Sequence, residues 1–384
     1  MNSNCADQLT ENDLAWFPLV QRPRPPGLPL EIRVGQLRDL VAQAESSDQG
    51  SHAAEVCNKA ALIASDCGQS ELARSLCWRQ YDVFNQARPL PTSTTELALQ
   101  PVLNLPRQLI REGDGDGAYA MLHALHRAAR GRTEAMIDGR YVSLRNVTCT
   151  ADDHRLTCTV IWAALLADGA RALARAGRWQ EAAQRATTHR GVGRRLLDGR
   201  QVTILALARN GQPEQATTLV EQSVTPEPWE HAVQSLLRVH CLRAAGADAS
   251  LHISPMLTTV LYVLRQPDPS TAVFRARAGM IALALAYQHD DPQVQALREA
   301  LIDSALGDAY VARDALAHRI LPEKTTADQA RDMADLVRAS GLGAGAIPEP
   351  MYGDLMDAVT SAEDRLRIYL NHRDADDPGT TAAS

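Results

Sequence analysis

The sequence predicts an all-α protein built as a helical-repeat solenoid, and three observations carry that expectation. Hydrophobic residues make up 45% of the 384-residue chain but aromatics only 4%, so small and aliphatic side chains must fill the interior. An Ala- and Leu-rich, aromatic-poor composition favours helix over strand. The hexapeptide ALARAG at 172–177 returns as ALARNG at 206–211, a shift of 34 residues, which is the period of a helix–turn–helix repeat. A glycine followed five residues later by alanine recurs at Gly68/Ala73, Gly113/Ala118, Gly177/Ala182, Gly211/Ala216 and Gly307/Ala312. Glycine permits the left-handed exit of a first helix, and alanine lets the second approach closely. Such units pack only on their neighbours, so length alone does not demand several separate cores.

Residues 1–47 make an atypical start. Trp16 and Phe17 precede Pro18, and prolines at 23, 25, 26 and 29 exclude helix and favour an extended polyproline arm. The P-x-x-P spacings at 23/26 and 26/29 suit a ligand for another domain; the preferred expectation is that Trp16, Phe17 and Leu28 pin the arm along the first helices. Ile32, Leu37, Leu40 and Val41 then share one side of a short helix over 31–46.

Residues 48–130 hold two helical pairs, 52–84 and 95–130. Pro101 fits a first-turn position, whereas Pro106 predicts a kink or a restart. Asp114 and Asp116 lack the twelve-position calcium loop with its terminal Glu. An irregular insertion follows at 131–156, where Asp138-Gly139 is a hairpin-turn dipeptide and Tyr141, Val142, Leu144 and Val147 suit a short strand or ordered loop. Loops this long inside a compact array are often functional. The best-preserved repeats span 157–246, ending in a helix that opens on Pro228 and closes on Gly246. Further helical hairpins fill 247–372, with helices expected at 253–265, 268–288, 291–305, 308–319, 325–340 and 350–371. Thr325 or Thr326 would cap the penultimate helix, 341–350 would be a linker, and 373–384 a disordered tail.

On these residues the chain resembles the tetratricopeptide repeat (TPR) superfamily. Gly177, Trp179, Glu181 and Ala182 match that family's turn glycine, bulky residue, acid and small alanine, and Gly211, Pro213, Gln215 and Ala216 follow more loosely. Pro228 meets the closing proline, but Arg194 stands in its place one repeat earlier, and Gly169 and Ile204 depart from the early-helix pattern. The resemblance covers roughly 163–228, extends to 54–130 and weakens beyond 250. It implies a TPR-like solenoid whose first helices line a concave groove. Carried over from the turn glycines, that geometry places Asn58, Arg107, Arg111, Arg171, Arg175, Gln201 and Arg209 on or near the groove. Stacked guanidinium forks suit carboxylates or phosphates, and some family members clamp a peptide's terminal carboxylate this way. Leu62 and Leu205 stand where two polar clamp residues would be. The competing reading makes these arginines ordinary solvated positions paired with acids.

A net charge of −7 argues against a direct nucleic-acid or anionic-membrane binder, and no helix-turn-helix DNA module precedes the array. The N-terminus lacks a signal pattern and no apolar run approaches 18 residues, so a soluble, cytoplasmic chain is expected. The seven cysteines contain no C-x-x-C and read as free thiols.

Cys149, Asp152, Asp153, His154 and Cys158 form the densest set of metal-ligating types, but Asp152 or Asp153 capping the next helix explains the acids without a metal. His123 and His126 lack H-E-x-x-H and read as a solvated face; the 191–195 stretch lacks the P-loop ending; no G-x-S-x-G occurs. No metal, cofactor or catalytic residue is therefore assigned. The leading expectation is a non-catalytic adaptor or regulator binding a protein or peptide with acidic or carboxylate groups. The alternatives are an accessory or modifying enzyme with its site at 131–158, and a small-molecule or pheromone sensor without its own DNA-binding domain. Oligomeric state has no signature in the chain.

Overall fold

Helices account for nearly all the regular structure, as composition and periodicity require. The computed structural model describes residues 9–46, 50–287 and 289–376, and among these only one two-stranded hairpin interrupts the helices. The chain divides into two units. One joins Leu30–Asp168 to the segment from Gly341 onward; the other joins the segment up to Pro29 to Gly169–Ser340.

In the first unit, α2 (Leu30–Ser46), α3 (Gly50–Asp66), α4 (Ser70–Gln86), α5 (Thr92–Glu112) and α6 (Gly115–Gly131) pack in sequence, and α3 also meets α5. Both prolines of α5 are buried in the helix interior, which begins earlier than its sequence pattern indicates and runs through them. Packing outweighs the roughly 3 kcal/mol that an interior proline costs.

The strands β1 (Glu134–Ile137) and β2 (Arg140–Ser143) turn at Asp138-Gly139, both with positive φ, as the dipeptide predicts. Asp138 accepts the Trp78 indole N–H at 3.0 Å and Arg140 stacks 4.4 Å over that ring, docking the hairpin on α4. The apolar residues Val142, Leu144 and Val147 are buried, while Tyr141 is exposed.

Helix α17 (Glu349–Asp376) returns to pack on α2, α3 and α4, a long-range pairing with no local signature. Its lead-in is an ordered strap, not a loose linker: Gly343 N–H donates to Asp66 O at 2.7 Å and Gly345 N–H to Cys67 O at 2.9 Å. The helix also continues into the expected tail as far as Asp376; residues 377–384, like Cys5, lie outside the described residues.

The second unit contains α1 (Glu11–Ala15) and the end of α7 (Ala151–Arg175), then α8 (Trp179–Thr188), α9 (Asp198–Arg209), α10 (Pro213–Glu221) and α11 (Pro228–Ala244). It continues through α12 (Ser250–Leu264), α13 (Ala272–Leu285), α14 (Pro292–Gly307), α15 (Ala309–Ala317) and α16 (Ala327–Ala339), which Thr326 caps. Each helix from α8 to α16 packs on the next. In addition α9 meets α11, α11 meets α13 and α13 meets α15, while α12 meets α14 and α14 meets α16. Odd-numbered helices from α9 to α15 thus form one row, and α12, α14 and α16 another.

The glycine–alanine signature explains the turns. Gly68, Gly113, Gly177, Gly211 and Gly246 all have φ between 68° and 91°, and Ala73, Ala118, Ala182 and Ala216 are at most 1% exposed. Gly307 differs. It ends α14 without positive φ, and Asp308 opens α15 by accepting the backbone N–H groups of Tyr310 and Val311. Among the described residues one helix, α7, is long and apolar enough to cross a membrane, and half of its apolar stretch is buried. The sequence pattern did not show it, because Asp168 and Arg171 interrupt the run.

Candidate functional site

The 34-residue register places arginine at Arg175, Arg209, Arg243 and Arg277, one each on α7, α9, α11 and α13. The first three lie in the last turn of their helices, where a cation complements the helix dipole. Arg277 escaped the sequence reading because the family pattern fades beyond 250, and Arg243 because the groove positions were carried only as far as the turn at Gly211. Two further steps of the same register find both, and FRARAG at 274–279 echoes ALARAG.

The N-terminal arm packs on this row of helices, within its own unit, whereas the sequence pattern sets it along the first helices. Glu11 pairs with Arg209, and Asp13 with Arg319 at 3.3 Å. The ring of Trp16 sits 4.9 Å from the Arg277 guanidinium and 6.0 Å from that of Arg175. Leu19 presents its carbonyl to the side-chain amide of Gln201 at 3.1 Å, and that amide also donates to Leu196 O at 2.6 Å. Arg22 forms a two-pronged pair with Asp198 (Nη1 to Oδ1, 3.1 Å).

Further along, Arg24 N–H donates to Ser270 O at 2.8 Å while its guanidinium stacks 3.5 Å over Tyr310. Gly27 N–H donates to the Asp308 carboxylate at 2.7 Å, and its carbonyl accepts from Ala309 N–H at 2.8 Å. A Cβ at Gly27 would fall 2.8 Å from the backbone nitrogens of Ala309 and Tyr310, so the arm lies against backbone there. Leu9, Leu14, Phe17 and Leu19 of the arm are themselves buried.

The sequence-named residues therefore fall into two groups. Arg171, Arg175, Gln201 and Arg209 belong to the unit that carries the arm. Gln201 is wholly buried beneath Leu19, so it does not line an open surface, whereas Arg175 is exposed and Arg171 half-buried. Asn58, Arg107 and Arg111 belong to the other unit, where α3 and α5 share a polar ladder. Asn58 donates to Gln100 at 2.5 Å and accepts from Asn104 at 2.8 Å; Arg107 reaches Asn104 at 3.1 Å and Asp168 at 2.8 Å; Arg111 donates to Ser65 at 2.9 Å. Arg107 is thus paired with an acid and Arg111 with a serine hydroxyl.

The insertion cluster does not converge on a metal. Among the described residues no group of three or more His, Cys, Asp or Glu side chains could hold one. Thr150, not an aspartate, caps α7 by accepting Asp153 N–H at 3.2 Å. Hydrogen bonds from Thr92 and then Thr150 hold the Asp153 carboxyl below its usual range. His154 is buried with Nε2 2.9 Å from Ala129 O and 3.5 Å from Cys158 Sγ. His126 is buried too, contrary to the solvated face expected of it, while His123 stacks on Tyr119. Burial pushes the Cys57, Cys77 and Cys241 thiols up to about 12, which makes them poor nucleophiles.

No protein-family model matches this chain. Neither does any curated protein or solved structure.

One buried group in the odd row does titrate in an accessible range. His240 of α11 is buried with Nε2 unpartnered, and burial, then Arg209 and Arg243, lower its pKa to about 4. The unfolded chain takes up this proton near pH 6.5 and the folded chain does not until about pH 4, so stability falls as pH drops through that window. The loss expected from this group is about 2 kcal/mol, measured as the difference in urea unfolding at pH 7 and pH 4.5 between wild type and His240→Gln. An identical pH dependence in the two proteins would contradict it.

Proposed function

We propose that the chain is a TPR-like α-solenoid working without catalysis in the cytoplasm, an adaptor or regulator whose odd-helix face holds an extended protein segment. One observation supports this most. A stretch of polypeptide, the chain's own arm, runs across α9, α13 and α15 and is gripped through both side chains and backbone. That grip combines ion pairs, an aromatic ring between guanidiniums and backbone hydrogen bonds, the combination by which helical-repeat faces recognise peptides. The partner segment carries acidic groups, as Glu11 does against Arg209. Buried, unpaired thiols at Cys57, Cys67, Cys77 and Cys241 are in keeping with a reducing compartment.

The test is capture of partners on full-length wild type and on an Arg171→Ala/Arg175→Ala variant. Loss of binding in the variant is expected. Unchanged affinity removes these two arginines from the binding face.

A further inference from the structure

We propose that Arg175, Arg277 and Arg313, walled by Trp16 and Arg24 of the arm, form a binding site for an oxyanion group, either a carboxylate or a phosphate. The inference deepens the reading above, naming the chemistry by which the odd-helix face anchors a ligand. Guanidiniums from α7, α13, α15 and the arm are neighbours here, and the Asp314 carboxylate is the acid that acts on Arg175 among the described residues. Asp314 is 2% exposed and accepts from Arg277 Nε at 2.8 Å and from Arg313 at 3.3 Å, so both its oxygens are engaged.

Arg175 makes no hydrogen bond or ion pair among the described residues; its ring contact with Trp16 is 6.0 Å long. The residue is exposed, yet its surroundings partly desolvate the guanidinium. Desolvation lowers its pKa first; Arg277, Arg313 and Arg24 add to that, and only Asp314 opposes. Elsewhere in the same unit several arginines meet an acid one to one, as in Arg195–Glu230, Arg238–Glu221 and Arg22–Asp198, while Arg178 and Arg185 share Glu181. Arg175, Arg277 and Arg313 thus gather around the Asp314 carboxylate, a local surplus of positive charge in a chain of net charge −7. Guanidinium forks on Arg175 and Arg313 are both accessible, and two planar forks can share the oxygens of one oxyanion.

Isothermal titration of the full-length protein with inorganic phosphate and, separately, with succinate at constant ionic strength tests the site. Saturable binding of at least one probe is expected, weakened about tenfold or more in Arg175→Gln and in Arg313→Gln. It should be unchanged in Arg331→Gln, an exposed arginine of α16 paired with Asp328. Both substituted arginines are solvent-exposed, so folding is checked by circular dichroism without expected loss. Phosphate alone binding assigns a phosphoryl ligand; succinate alone assigns a carboxylate; both assign a general oxyanion site. No saturation with either probe, or equal weakening in Arg331→Gln, overturns the proposal. Because the probes are small anions, the site can hold when partner capture fails, and the reverse is equally visible.

Discussion

Replacing Arg33 with alanine is expected to destabilise the protein by about 3–5 kcal/mol. Arg33 of α2 reaches Asp66 at the end of α3 at 2.7 Å, and the two side chains are 5% and 3% exposed. A pair this buried adds little over a well-packed apolar pair, because both charges lose their hydration. Removing one member is different, since the Asp66 carboxylate stays in the interior without its counter-charge. The Asp66 carbonyl also receives Gly343 N–H, so the strap leading to α17 is anchored on the same residue. Equilibrium urea unfolding followed by circular dichroism measures the loss. An Arg33→Met/Asp66→Leu double variant should recover most of it. A single-variant loss below about 1 kcal/mol would show that the pair is solvated.

Trp179→Ala is expected to have a comparable effect, about 3–5 kcal/mol, and a local one. Helix α8 has only ten residues and buries three side chains, Trp179, Ala182 and Ala186. The tryptophan, 3% exposed, is the one large group holding that short helix to the array. Its loss opens a cavity at the turn following Gly177 and removes most of the apolar area that α8 contributes. Urea unfolding gives the magnitude, and amide exchange over 179–188 gives the locality. A loss well under this range, or exchange unchanged in α8, would mean that Trp179 does not wedge the helices.

Much of the fold was legible because its signals are local. The Gly-x4-Ala spacing marks turns whose glycines do adopt positive φ, Asp138-Gly139 makes the hairpin turn, and Thr326 caps α16. The rest depends on residues far apart in the chain. Arg22 meets Asp198, Gly27 meets Asp308 and Arg33 meets Asp66, and no periodicity announces such pairs. The arm looked suited to the first helices because those are nearest in sequence; the partners of Asp13, Leu19 and Arg22 instead lie beyond residue 195.

The candidate site was half visible. Arg175 and Arg209 followed from the repeat, whereas Arg313 and Asp314 fall outside its register and Trp16 read as a packing residue. Insertion chemistry failed for a related reason. Thr92, which engages Asp153, belongs to a helix 61 residues away, so a cluster of ligand types in sequence was already satisfied by hydrogen bonds.

The most direct measurement is the affinity of full-length protein for a captured partner segment, compared by calorimetry between wild type and Arg171→Ala/Arg175→Ala. If the odd-helix face is the binding surface, binding falls by about tenfold or more, to the point of loss, while the circular dichroism melt stays unchanged. Equal affinity in the two proteins would contradict it.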